Sequence, residues 1–227
     1  MDRSTLIANG IIMLSDLVLL AAVIYGVRVF LMRKAPLYFR ILTLATVCYA
    51  SASVFRMLYY LCYQVIFQGM GITFFGYFGC YLFLFSANFG QYDSLIDEKS
   101  TRFRKYRIIS VLAPAAVLVL ILIHTFSNAE NAAPSVNFVT GIGYIPAVFA
   151  SYYNLKHFII PDMGFLFVRW IRRANLCALI IEVADVLRVL LSALADKWPG
   201  ALLSLIISAA FLMMLLFAEG GRKTWLR

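Results

Sequence analysis

Apolar residues come in long blocks along this chain, and short clusters of charged and turn-forming residues separate the blocks. A helix needs about 20 apolar residues to cross ~30 Å of hydrocarbon. Runs of that kind fall at 5–27, 41–67, 70–92, 107–126, 136–155, 174–194 and 200–218. The pattern predicts an all-α polytopic membrane protein with seven transmembrane helices. The runs take 153 of the 227 residues. What remains is short and divided, so residues 1–227 are expected to form a single seven-helix transmembrane domain.

Composition agrees with that reading. The chain is 63% hydrophobic and 14% charged, against roughly 45–50% apolar and about 25% charged for soluble domains. A soluble chain this short keeps too much surface for its volume to hide so much apolar area. A soluble enzyme, a disordered segment and a secreted disulfide scaffold are excluded together.

The net charge of +9 would suggest nucleic acid in a soluble protein, but here its placement decides. Segments after spans 1, 3, 5 and 7 hold Arg28, Arg33, Lys34 and Arg40; Lys99, Arg102, Arg104, Lys105 and Arg107; Lys156, Arg169, Arg172 and Arg173; and Arg222, Lys223 and Arg227. These are 16 cations, whereas the other side holds only Arg3 and Lys197. Basic loops stay cytoplasmic, so the N-terminus is expected outside and the C-terminus inside, in a plasma or bacterial inner membrane. The lipid bilayer is the first expected partner, anionic head groups included, and nucleic acid is not one.

The apolar stretch Leu6–Val27 is longer than a signal-peptide core, and its basic cluster follows it. It reads as a retained first helix. Trp170 and Trp225 are expected near the inner interface and Trp198 near the outer one. The segment Phe158–Arg173, containing Pro161 and Gly164, is expected to run along the inner interface before span 6.

Chemistry-bearing motifs are scarce. Cys48, Cys62, Cys80 and Cys177 lie within spans without CxxC spacing and read as small packing residues. His124 and His157 fall near opposite membrane faces, so no metal or haem site is expected, and no cofactor. The Asp93–Glu98 cluster, followed at once by five cations, reads as a solvated turn. No P-loop, HExxH or GxSxG is present, and the chain is not expected to be an enzyme. The last span has no Lys for a retinal Schiff base. Span 3 ends Asn88-Phe-Gly-Gln91-Tyr-Asp93 without Asp-Arg-Tyr, and span 7 lacks Asn-Pro-x-x-Tyr.

A shift of 132 residues places span 2 on span 6. Arg40 then aligns with Arg172, Leu44 with Leu176, Ala52 with Ala184, Val54 with Val186, Arg56 with Arg188 and Leu58 with Leu190. Intramembrane arginines are rare, so the Arg56–Arg188 match carries most weight. The resulting halves, 5–92 and 136–218 joined by helix 107–126, resemble the 3+1+3 parallel-repeat plan of the SWEET sugar transporters. That plan implies small-solute transport. The Pro-Gln motif of related proteins is absent, and Pro146 is the only proline well inside a helix of either half.

A second resemblance rests on the basic start of span 2, the aromatic span 3 ending in Phe83–Gln91, and the basic start of span 4 followed by His124-Thr-Phe-Ser-Asn128. In these features the chain resembles the seven-helix N-terminal sensor region of some bacterial histidine kinases and diguanylate cyclases. That likeness implies a sensory module. Such regions feed a cytoplasmic output domain, whereas nine residues follow residue 218 here.

Ionisable groups at membrane depth are costly and face a cavity or a partner helix. Here they are Asp16 in span 1, Arg56 in span 2, and Glu182, Asp185 and Arg188 in span 6. At about 1.5 Å per residue, Asp16 and Asp185 lie near mid-membrane and the two arginines in the outer half. Tyr49, Ser53, Arg56, Tyr60 and Tyr63 form one helical stripe. Tyr77, Tyr81, Asn88 and Gln91 form a second, and Glu182, Asp185, Arg188 and Ser192 a third. The stripes predict structural pairing between helices, an outer-half cavity for a small anionic or amphipathic ligand, or a proton or ion path. The candidate ligand-binding residues are Arg56, Tyr60, Tyr81, Asp185, Arg188, Asp16, Glu182, Tyr49, Ser53 and Asn88. Three functions follow as expectations: a membrane sensor signalling to a cytoplasmic partner at the basic inner loops, a small-solute transporter, and a non-catalytic subunit of another membrane protein.

Overall fold

The computed structural model describes residues 3–32, 35–63, 71–89, 104–127, 141–160, 168–191 and 198–225. Its helices are α1 (Arg3–Phe30), α2 (Leu37–Tyr63), α3 (Ile72–Phe89), α4 (Arg104–Ser110), α5 (Leu112–Ser127), α6 (Ile145–Ile159), α7 (Val168–Leu190) and α8 (Trp198–Trp225). No strand occurs among the described residues. Five stretches are long and apolar enough to cross a membrane: Ile7–Phe30, Leu37–Tyr63, Ile72–Phe89, Arg104–Ile123 and Trp198–Gly221. Large apolar side chains on their outer faces stay uncovered, as with Met13 and Leu17 at 68% and 62% exposure. Such an exterior belongs in lipid, and the protein is membrane-embedded.

The two remaining expected spans fall short of that standard for separate reasons. Helix α6 has 15 described residues, and most of the expected run before it lies outside the described residues. Helix α7 has the length, but Arg169, Arg172, Arg173, Glu182, Asp185 and Arg188 lower its apolar content.

Prolines set several boundaries. Pro36 stands immediately before α2, where its missing N–H costs nothing. Pro114 cannot donate to the Ser110 carbonyl four residues back, and the helix breaks between α4 and α5 at that point. Pro146 was expected well inside a helix, yet it occupies the first turn of α6. Its ring and missing donor end the preceding helical turn 141–143 and start the helix anew.

Six helices pack in a closed series, in the order α1, α2, α3, α6, α7, α8 and back to α1, and α2 also touches α8 across it. The α4–α5 unit lies outside this ring against α6 and α7. Small residues permit the closest approaches. A Cβ on Gly76 of α3 would lie 2.6 Å from Ala52 Cβ and 2.8 Å from the Cys48 carbonyl oxygen of α2. Ser86 of α3 returns its hydroxyl to the Leu82 carbonyl. Thr43, Thr46 and Thr125 bond in the same way to carbonyls four residues back, which satisfies a hydroxyl in an apolar setting.

At the end expected to be inner, several cations expected in loops belong to helices. Lys156 is buried within α6, its ammonium 5.8 Å from the Tyr153 ring centre. Arg169, Arg172 and Arg173 open α7, so the expected interfacial stretch Phe158–Arg173 is helical at both ends, with residues 161–167 outside the described set. Trp170, expected in an aromatic belt, packs against Gly220, where an added Cβ would approach its ring to 2.9 Å. The residues Arg33, Lys34, Gln91, Asp93–Glu98, Lys99, Arg102, Ser192, Lys197 and Arg227 also lie outside the described residues.

Candidate functional site

Asp185 is fully buried at the centre of the ring, and four elements converge on it. Tyr49 of α2 donates to Oδ1 at 3.0 Å. Tyr81 of α3 and Tyr144, at the start of α6, donate to Oδ2 at 2.5 and 2.9 Å. One turn along α7, Arg188 donates to Oδ1 through Nη2 at 2.6 Å and Nε at 3.1 Å. A carboxylate in hydrocarbon needs both a cation and donors on its remaining lone pairs, and here both oxygens are satisfied. Arg188 Nη2 also reaches Tyr77 Oη at 3.4 Å, and the guanidinium carbon lies 5.7 Å from that ring's centre.

A second buried level lies along the same helices. Asn88 of α3 donates through Nδ2 to Asn154 Oδ1 of α6 at 2.6 Å and to Asn175 Oδ1 of α7 at 2.9 Å. Asn154 passes its own amide proton to Glu182 Oε1 at 2.8 Å, and Tyr38 of α2 donates to Asn175 at 3.4 Å. From this level to the Asp185 level, residue numbers rise along α2 and α7 and fall along α3 and α6. Helices α2 and α7 therefore run parallel to each other and antiparallel to α3 and α6. From Asn175 to Arg188 the polar side of α7 extends about 20 Å at 1.5 Å per residue.

The structure thus joins Tyr49, Tyr81, Asp185 and Arg188 directly, and it places Asn88 and Glu182 in the neighbouring network. Arg56 and Asp16 are half-buried and within electrostatic reach of each other, without an ion pair. Arg56 is also within electrostatic reach of Tyr49 and Tyr77. Ser53, one turn below it, is half-buried. Tyr60 and Tyr63 are 49% and 65% exposed and stand apart from the cluster.

Five bonded residues, Tyr38, Tyr77, Tyr144, Asn154 and Asn175, are not among the candidate ligand-binding residues. Their signal was partly available. Tyr144, Ala147, Ser151 and Asn154 follow a 3-4-3 spacing on one face of α6, and all four are buried. A hollow of about 300 Å³ among the described residues lies elsewhere, lined by Leu179, Ile180, Val183, Ala184, Leu187 and Leu203. It is apolar and does not touch the polar cluster. Among the described residues no group of His, Cys, Asp and Glu is arranged to ligate a metal ion.

The fold and site define a helical membrane protein with a layered polar interior. Comparison with the profiles of known protein families, with curated proteins and with solved structures gave no match.

Proposed function

We propose that this chain is a membrane sensor or receptor-like module that binds a small anionic or amphipathic molecule from the outer side. The observation that carries this reading is the hub at Asp185. Its carboxylate ties α2, α3 and the start of α6 to α7 through three tyrosine hydroxyls, while Arg188 holds it from the outer side. A ligand carboxylate, sulfonate or phosphate that draws Arg188 away competes with Asp185 for the same guanidinium protons. Loss of that pair leaves the tyrosine–carboxylate bonds without their counter-cation, so four helices feel one binding event. Arg56 and Asp16 supply further charge near the hub, and Glu182 and Asn88 belong to the bonded network beside it, with Ser53 and Tyr60 further along α2.

The reading includes seven spans with the N-terminus outside and the C-terminus inside, supported by the 16-to-2 cation split and the alternating directions of α2, α3, α6 and α7. The membrane is then the cell membrane, and the basic inner ends would meet a cytoplasmic or membrane-protein signalling partner. The likeness to the sensor regions of histidine kinases and diguanylate cyclases fits this reading.

A specific observation favours a second reading, a small-solute transporter of SWEET-like 3+1+3 plan. The α4–α5 unit stands outside a closed series in which α1-α2-α3 is followed by α6-α7-α8. Arg56 and Arg188, matched by the 132-residue shift, are both within electrostatic reach of Tyr49 and Tyr77. Reconstituted proteoliposomes separate the two. A sensor raises its thermal stability with anionic amphiphiles, loses that response in Arg188→Gln, and moves no solute. Saturable uptake that disappears in Arg188→Gln would overturn the sensor reading and establish the transporter.

A further inference from the structure

Glu182 differs from Asp185 in how its charge is met. It is fully buried, its Oε1 accepts one amide proton from Asn154, and its Oε2 has no hydrogen-bond partner. No Lys or Arg among the described residues pairs with it, and the interactions acting on it are burial and the Asn154 amide. Arg188 is already committed to Asp185. A buried carboxylate left in this way is costly.

The orphan oxygen has company. Asn88 spends both amide protons on Asn154 and Asn175, which leaves its Oδ1 buried without a partner, as is Asn175 Nδ2. One bonded chain of a glutamate and three asparagines therefore holds three unsatisfied buried polar atoms. Two are oxygens, one of them a carboxyl oxygen, and the third is an amide nitrogen. Groups of this kind need an explanation such as water or an ion.

We infer that this network is a binding site for a single monovalent metal cation of the sodium class, held by Glu182 Oε2 and Asn88 Oδ1, with Asn175 Nδ2 anchoring a coordinating water. The donor set is oxygen only, which suits hard cations rather than zinc or copper. Charge decides between monovalent and divalent: the site offers one carboxylate, so a divalent ion would leave a net positive charge in hydrocarbon. The site would also tie α3, α6 and α7 together at the level below the Asp185 hub. The inference is independent of the sensor reading, since it concerns ion binding by the chain without any solute.

The test uses the full-length purified chain in lipid nanodiscs at constant ionic strength, with sodium exchanged for choline. Sodium should raise Tm saturably, by about 5–10 °C at a concentration 100-fold above its Kd, and the wild-type chain should bind radioactive sodium at one site. Glu182→Gln keeps the shape and removes the charge. It should fold, lose sodium binding, and show no difference between sodium and choline. Asn88→Ala should shift the sodium midpoint upward at least tenfold, while Arg104→Gln, on the exposed start of α4, should leave it unchanged. A wild-type Tm indifferent to sodium, with pH alone deciding stability, would overturn the inference, because a proton would then meet the Glu182 charge. Sodium binding unchanged in Glu182→Gln would overturn it equally. If Glu182→Gln fails to fold, the wild-type radioactive binding and the Asn88→Ala midpoint decide alone.

Discussion

Tyr81 on α3 donates its hydroxyl to Asp185 on α7 at 2.5 Å, across 104 residues of sequence. The bond is one of three tyrosine contacts to the same carboxylate, so the hub can be dismantled one proton at a time. Hydrogen bonds to a charged group contribute about 1.5–3 kcal/mol each. Tyr81→Phe, Tyr49→Phe and Tyr144→Phe should each lower stability within that range in thermal unfolding in detergent. Because the three share one acceptor, their combination should deviate from additivity. Tyr60→Phe, at a half-exposed position outside the cluster, should change stability by no more than about 0.5 kcal/mol. A loss in Tyr60→Phe equal to that in Tyr81→Phe would remove Asp185 as the centre of the bundle.

The two intramembrane arginines should not be equivalent in cost. Arg188 is buried and bonded to Asp185, so Arg188→Leu strands a buried carboxylate, at about 3–5 kcal/mol by the measure of soluble proteins. Arg56 acts on Asp16 at longer range and is half-buried, so Arg56→Leu should cost less. Both should exceed Arg104→Leu on the exposed start of α4. Chemical or thermal unfolding of the three variants gives the order, and equal values for Arg56→Leu and Arg104→Leu would mean that Arg56 faces the outer interface.

Helix approach at Gly76 makes a sharper steric prediction. An added Cβ would meet Ala52 Cβ at 2.6 Å and the Cys48 carbonyl oxygen at 2.8 Å, and neither contact is the end of a flexible side chain. Gly76→Ala should therefore destabilise by about 1–3 kcal/mol through overpacking. Gly10→Ala, with nothing within 4 Å of the new Cβ, should be neutral or gain up to about 1 kcal/mol from helix propensity. The comparison needs only two melting curves, and it fails if the two alanines behave alike.

Orientation is testable without purification. A reporter fused after Arg227 should read cytoplasmic, and one inserted near Asn131 should read external, because cations favour the cytoplasmic side. An external C-terminus would invert the proposed direction of ligand access, since Arg188 would then open inward.

Sequence by itself determined the solvent and the material of this protein. The long apolar blocks, low charge and segregated cations require helices in a bilayer, because unpaired backbone groups cannot be left in hydrocarbon. The rarity of ions at membrane depth singled out Asp185 and Arg188, and helical periodicity placed Tyr49 and Tyr81 on inward stripes. Periodicity gives a face but not a partner. That Asp185 takes all three tyrosines while Glu182, three residues earlier on the same face, takes an asparagine was decided by which side chains the adjoining helices bring to α7 at each level. Tyr144 joined the site because Pro146 restarts its helix beside Asp185, and Tyr60 stayed out because its end of α2 carries the side chain away from the cluster. Only the ring order of the helices, set by close contacts at residues such as Gly76 and Ala52, brings side chains a hundred residues apart within hydrogen-bond distance.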